Sequence, residues 1–266
     1  MPAPDRPLNI LLLGGSSEAS SLATRLSADA RFTAVLSLAG RTASPKGPPI
    51  AQRVGGFGGG TGLADYLAEH GVDALVVALH PFAARMRANA LAAACLTTTP
   101  LLIIDRPPWR PAAGDRWTCV PDMAAAAHAI GGEPQRVLLT VGRQDLAPFK
   151  AEPQHAYLAR SIEAPSPQDL PPGAEVLLAR GPFTLADEER LLSARKIDVV
   201  VTKNAGASAT EAKLTAARTL GLRVIMVDRP PRPPSAGDDL FVSDVDAAWD
   251  WLTRLHQTSG ATERGV

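Results

Sequence analysis

Cysteine is nearly absent: Cys95 and Cys119 are the two in 266 residues. They stand in no metal-ligand spacing and permit at most one bridge. A disulfide framework and a zinc cluster are therefore excluded as the basis of the fold, no metal site is expected, and reduced thiols in a cytoplasmic protein are the simpler expectation. Net charge is also lacking, since 27 Lys and Arg balance 27 Asp and Glu. A general nucleic-acid binder would carry a basic excess, so nucleic acid is not an expected partner. A local basic pocket for a small anion stays open. The stretch "MPAPDRPLN" has no basic n-region, and "ILLLGG" is too short for a signal core. No apolar run approaches the roughly 20 residues of a membrane span, so no membrane partner is expected.

What the chain does have is 45% apolar residues, enough for one large core or two small ones. Its 24 prolines cluster at "PKGPP", "RPPWRP", "APSPQDLPPG" and "RPPRPP", which read as rigid loops. Between them, short aliphatic runs alternate with longer Ala- and Leu-rich segments. "NILLL", "FTAVLSL", "VDALVVAL" and "PLLIID" read as strands, with "EASSLATRLSAD", "ADYLAEHG" and "FAARMRANALAAACL" as helices. Apolar strands buried on both faces and alternating with helices predict a parallel sheet covered on both sides.

The same grammar then restarts. "RVLLTVG", "EVLLARG", "IDVVVTK" and "RVIMVD" read as strands; "LADEERLLSARK", "ATEAKLTAARTLG" and a final "VDAAWDWLTRLH" read as helices. "VDALVVAL" at 72 aligns with "IDVVVTKN" at 197, "LAAAC" at 91 with "LTAAR" at 214, and "LLIIDRPP" at 101 with "VIMVDRPP" at 224, a steady offset of 123 to 125. The repeat predicts an α/β protein of two similar Rossmann-like domains with parallel sheets and an inter-domain cleft. The expected boundaries are 1–132 and 133–266, joined near "GGEPQ". Ligands of such sheets bind beyond the carboxyl ends of the strands.

Candidate site residues follow from that rule. Gly14 and Gly15 between a strand and a helix allow a sharp turn and close backbone approach, and the helix start with Ser16 and Ser17 suits phosphate. The motif is GGSSE, so the GxGxxG fingerprint is absent. A tight turn with a serine cap and Glu18 supporting the first helical turn reads the same residues without a ligand. Arg41 follows the second strand where NAD-binding folds place a carboxylate; a guanidinium there favours the 2′-phosphate of NADP, against a solvated loop arginine. "RVGGFGGGTGL" holds six glycines and must be a loop, a nucleotide wall or a mobile flap, two readings that are compatible. His80 ends the best strand of the first half, as a ligand contact or as a turn cap. In the second half Arg143, Arg180, Lys203 and Asn204 stand at strand ends, a plausible anion-binding surface.

Taken together, "LLLGGSSEASSLA", "SLAGRTASP", "RVGGFGG", "HPFAARM", "DRPPW", "LTVGRQDLAPF", "LLARGPF" and "VTKNAGASATEAKL" resemble the precorrin-6A reductase family over about residues 9 to 252. The resemblance implies two Rossmann-like domains and a cytoplasmic oxidoreductase acting on CH–CH groups in cobalamin biosynthesis. It implies NADPH as cofactor and precorrin-6A, a macrocyclic tetrapyrrole rich in carboxylates, as substrate. Hydride would go to one carbon of the conjugated system and a proton to its neighbour, giving precorrin-6B. On this reading Gly14, Gly15, Ser16, Ser17 and Glu18 hold the pyrophosphate and nearby ribose, and Arg41 the 2′-phosphate. Gly56, Phe57 and Gly58 line the adenosine or nicotinamide side, with His80 at the nicotinamide end. Arg143, Arg180, Lys203 and Asn204 contact substrate carboxylates, and Lys203 is the candidate proton source. A monomer is compatible with it, as is channelling of substrate between neighbouring pathway enzymes. Two other readings share the repeat: a two-domain binding protein for an anionic small molecule without catalysis, and a glycosyltransferase with two Rossmann-like halves. The second would want a glycine-rich turn in the second half comparable to the first, and none is seen.

Overall fold

A computed structural model describes residues 6–38, 50–232 and 241–262. The chain divides into two compact units, Met1–Pro107 with Pro231–Val266 and Pro108–Pro230. The first unit begins with β1 (Leu8–Leu13), α1 (Ser17–Ser27), β2 (Phe32–Leu38) and β3 (Ala51–Val54). It continues with α2 (Gly60–Glu69), β4 (Ala74–Val77), α3 (Ala84–Thr97) and β5 (Leu101–Ile104). The second unit holds β6 (Arg116–Val120), α4 (Met123–His128), β7 (Arg136–Thr140), β8 (Ala156–Ser161) and β9 (Glu175–Leu178). It closes with α5 (Leu185–Ala194), β10 (Val199–Lys203), α6 (Ala212–Thr219) and β11 (Arg223–Val227). The chain then returns to the first unit for β12 (Phe241–Val242) and α7 (Val245–Thr262).

Each unit is built on one six-stranded sheet, ordered β12-β5-β4-β1-β2-β3 and β6-β11-β10-β7-β8-β9. Every pairing is parallel. Both follow the doubly wound order, in which the strand sequence reverses beside the first strand. The reversal falls between β1 and β4 in one unit and between β7 and β10 in the other. The expected α/β class with two parallel sheets is what the molecule has.

Strand β1 shows why a continuous apolar run forms here. Ile10 and Leu12 point into one core, shared with α1 and α7. Leu11 and Leu13 point into the other, against α2 and α3. Side chains alternate faces along a strand, so burial on both faces requires apolar residues at every position.

The chain divides elsewhere than at the expected 132/133. The expected first domain ends after α4, but β6 pairs with β11 from Arg116↔Arg223 to Val120↔Val227 and so belongs to the second sheet. The last helix, read as part of the second domain, packs Ala248 and Leu252 into the core of the first, and β12 pairs with β5. Each half therefore donates its last strand and helix to the other's sheet. The two repeated "DRPP" turns mark the places where the chain changes unit. Asp105 N–H donates to Val242 O and Asp228 N–H to Val120 O, both at 2.8 Å, so each turn leaves its sheet through the same backbone bond.

Candidate functional site

The reversal point of the first sheet is formed by the ends of β1 and β4. The two glycines after β1 serve different ends. A Cβ on Gly14 would overlap Leu36 Cδ1 and lie 3.1 Å from Ala19 Cβ, so this glycine lets α1 close onto the sheet. Gly15 has φ +132°, and nothing lies within 4 Å of where its Cβ would be. It supplies the turn and leaves open space above it. Ser16 caps α1: its Oγ accepts from Ala19 N–H at 3.2 Å and donates to Ala78 O at 2.8 Å, tying the turn to the end of β4. Ser17 is exposed, and its hydroxyl donates to Glu18 Oε2 at 3.1 Å.

Glu18 has a partner that the sequence did not reveal. Arg106, from the first DRPP turn, donates through Nη1 to both carboxylate oxygens, at 2.8 and 2.7 Å. Burial, the largest influence, works to raise the Glu18 carboxyl, but the Arg106 bonds and charge, with hydrogen bonds from the backbone and Ser16, together hold it below the ordinary 4.5. A group lowered by folding adds stability above its unfolded value and loses it as pH falls through the folded one. Glu18→Gln should therefore cost about 1–3 kcal/mol at neutral pH. The gap to wild type should close as pH falls below 4.5; urea unfolding across that range measures it.

Gly56, Phe57 and Gly58 lie in the turn between β3 and α2, where Gly55, Gly58 and Gly59 have φ of +121°, +83° and +104°. Arg53, which no sequence pattern marks out, organises this loop. It donates to Ser37 Oγ at 2.9 Å, Gly55 O at 3.1 Å and Gly56 O at 3.2 Å. Its guanidinium lies 3.7 Å from the centre of the Phe57 ring, and Phe57 meets Tyr66 edge-on at 5.2 Å. A Cβ on Gly62 would overlap Phe57 O, so α2 packs directly on the loop backbone. These contacts tie the glycine loop to β2 and α2. His80 is exposed past β4; its Nδ1 accepts from Phe82 N–H at 3.3 Å and its carbonyl from Ala83 N–H at 2.8 Å. It caps the turn into α3. Arg41 lies outside the described residues.

In the second unit the reversal point is occupied by charge pairs. Lys203 Nζ donates to Asp145 Oδ2 at 2.7 Å, and Arg143 Nη1 to Glu163 Oε2 at 2.7 Å. Asp145 N–H bonds Gly142 O at 2.8 Å. A Cβ on Gly142 would meet Asp145 Oδ2 at 2.8 Å, so glycine is what leaves room for the lysine–aspartate pair. The "GRQD" spacing, with an acid two residues after the strand-end arginine, is the sequence signal for Asp145; Glu163, twenty residues beyond Arg143, has none. Arg180 is exposed after β9 and makes no ion pair among the described residues. Asn204 departs from its expected role. Its Oδ1 accepts from Trp109 N–H at 2.8 Å and its Nδ2 donates to Trp109 O at 3.1 Å. The amide is used on the backbone after the first DRPP turn, where a peptide-like group matches it donor for acceptor. It clamps that segment of backbone.

Among the described residues no helix is long and apolar enough to cross a membrane, and no group of three or more His, Cys, Asp or Glu could hold a metal. The chain matches the model of the family described as precorrin-6x reductase CbiJ/CobK over residues 9–253. It is 48% identical to the precorrin-6A reductase of Rhodobacter capsulatus, covering 97% of this chain and 99% of that protein. Against the precorrin-6A reductase of Rhodococcus erythropolis it is 44% identical, covering 92% and 98%. A solved structure titled CobK precorrin-6A reductase matches with a TM-score of 0.87 at 48% identity, over 97% of this chain and 100% of that one. With a match that runs through both sheets and both sets of strand ends, the chain belongs to the precorrin-6x reductase CbiJ/CobK family.

Proposed function

We propose that this chain reduces precorrin-6A to precorrin-6B in cobalamin biosynthesis, with NADPH as reductant. The carrying observation is its 48% identity over 97% of its length to a precorrin-6A reductase. The residues at the β1/β4 reversal fit a dinucleotide. Gly15 leaves open space, α1 is eleven residues long and offers its first amides, and Arg106 neutralises the Glu18 carboxylate that would otherwise repel a pyrophosphate. Gly14, Gly15, Ser16 and Ser17 would hold the pyrophosphate, with Glu18 toward the ribose and Arg41 on the 2′-phosphate. Gly56, Phe57 and Gly58 would form the wall, and His80 the nicotinamide side.

When bound, the reduced nicotinamide supplies hydride to the conjugated macrocycle. The chain's own part is to bind, orient and protonate. Arg180, and Arg143 by exchanging Glu163, would take substrate carboxylates through paired N–H groups. Lys203 would donate the proton to the neighbouring carbon, its ammonium held in direction by Asp145. Asn204 would act through the loop it clamps. A cytoplasmic location suits Cys95 and Cys119, both exposed and unbridged.

The test is a thermal melt with NADPH or NADH, followed by turnover of precorrin-6A. NADPH at a hundred times its Kd should stabilise by about 2.7 kcal/mol, with NADH far weaker at equal concentration. Equal stabilisation by the two would remove the 2′-phosphate assignment. A failure to oxidise NADPH in the presence of precorrin-6A would remove the reaction.

A further inference from the structure

The second unit contains a buried charged layer for which the reaction above has no use. Arg160 on β8 donates to Glu188 of α5 at 2.6 Å, with the two side chains 6% and 1% exposed. Lys213, at the start of α6, is 3% exposed. Its Nζ donates to Thr210 O at 2.6 Å and lies 4.7 Å from the centre of the Trp109 ring. Glu188 Oε2 and Trp109 Nε1 are buried with no hydrogen-bond partner among the described residues. The groups facing Lys213 are Arg160 from β8, Glu188 from α5 and Glu211 from the turn before α6, with the Trp109 ring. Burial first, and then the Arg160 charge, push Lys213 down to about 7, against the pull of the two glutamates.

This layer is costly. A buried ion pair rarely improves on apolar packing, and an additional buried amine costs more. Its contacts show what the cost supports. The Arg160 guanidinium stacks over Phe183 at 4.1 Å, and Phe183 N–H donates to Ala209 O at 3.2 Å. A Cβ on Gly181 would lie 3.3 Å from Ala209 O, so the 181–183 turn presses on the 208–210 turn. Lys213 holds the other end of that turn at Thr210. The Trp109 backbone is clamped by Asn204, whose own carbonyl accepts from Arg229 Nε at 2.8 Å. The strand-end segments that carry Arg180 and Lys203 are thus locked to one another through the Arg160–Glu188–Lys213 layer.

We propose that Lys213 is a positioning residue for the substrate: its buried amine, bonded to Thr210 O and set over the Trp109 ring, holds with Arg160 and Glu188 the strand-end loops of the second unit in the arrangement that receives a polycarboxylate. The proposal rests on the reaction assigned above. An uncharged side chain at 213 would relieve the cost of burial and weaken the grip on the substrate. A role in folding alone would give no such opposed pair of effects.

The experiment uses the full chain with Lys213→Met, which matches the stem without the charge, and Lys213→Gln, which keeps a donor for Thr210 O. KM for precorrin-6A, kcat, NADPH Kd and melting temperature are measured for each. The expected result is KM raised about tenfold, kcat changed less than threefold, NADPH Kd unchanged and Lys213→Met melting at or above wild type. An unchanged KM in either folded variant, or a matching loss of NADPH affinity, would overturn the assignment. Loss of the fold in both variants would make the layer a folding element and overturn it too. Wild-type turnover is measured first: its absence counts against the reaction and everything built on it, whereas normal wild-type turnover with unaltered variants counts against Lys213 alone.

Discussion

A fragment spanning residues 108–230 should fold by itself, while fragments cut at the apparent midpoint, 1–132 and 133–266, should not. The 108–230 piece carries all six strands of its sheet, β6 through β11. Its core is its own: Leu138, Leu158, Val200 and Met226 from the sheet, with Leu192 and Leu214 from the helices above. At 123 residues (230 − 108 + 1) it has the size of an ordinary domain. The 133–266 fragment lacks β6 and carries α7 and β12 without their sheet. The 1–132 fragment keeps β6 and α4 without a partner and loses the cover over its first core. Phe32, Leu102 and Ile104 belong to the core that α7 helps close. Leaving three such side chains uncovered costs about 5–9 kcal/mol, against a whole-domain stability of about 5–15 kcal/mol. A cooperative melt for 108–230, and none for the other two, is the expected outcome by circular dichroism. A cooperative melt of 133–266 equal to that of 108–230 would contradict the exchange of terminal strands.

Lys203→Ala should lower turnover of precorrin-6A about a hundredfold to a thousandfold, the range of a lost general acid, with NADPH affinity unchanged. Lys203 ends β10, a strand buried on both faces, so its stem starts from a fixed point. Asp145 fixes the other end at 2.7 Å. The stability cost is small, about 1 kcal/mol or less, because both groups keep contact with water. A companion change separates the amine from its orientation. Gly142→Ala leaves Lys203 in place but puts a methyl group where only 2.8 Å separates it from Asp145 Oδ2. The carboxylate must move, and turnover should fall about tenfold, the scale of a misdirected but present donor. Lys203→Ala turning over at the wild-type rate would end the proton-donor role, whatever the effect of Gly142→Ala.

The strands that the sequence does not reveal have two causes. β6, "RWTCV", has only Val120 buried, and β3, "AQRV", has no buried residue. Both lie at sheet edges, where one side meets water and the apolar signal is thin. β8, "AYLARS", was hidden by Arg160, a charge that looks solvent-facing until Glu188 is placed beside it. The site divides in the same way. Gly15, the Ser16 cap and Lys203 at the end of its strand were legible because local geometry requires them. The partners Arg106, Asp145 and Glu163 were not, nor was the engagement of Asn204 with Trp109, 95 residues away.

By itself the sequence determined two parallel sheets and where the strands at each reversal point end, because burial on both faces demands unbroken apolar runs and sharp turns demand glycine and proline. It also carried the repeat, down to the matching DRPP turns. Only the tertiary structure decided which sheet each terminal strand joins, since a short apolar segment after a proline turn suits either edge equally. It alone decided which charges meet, because an ion pair is a relation between distant residues and leaves no local pattern in either of them.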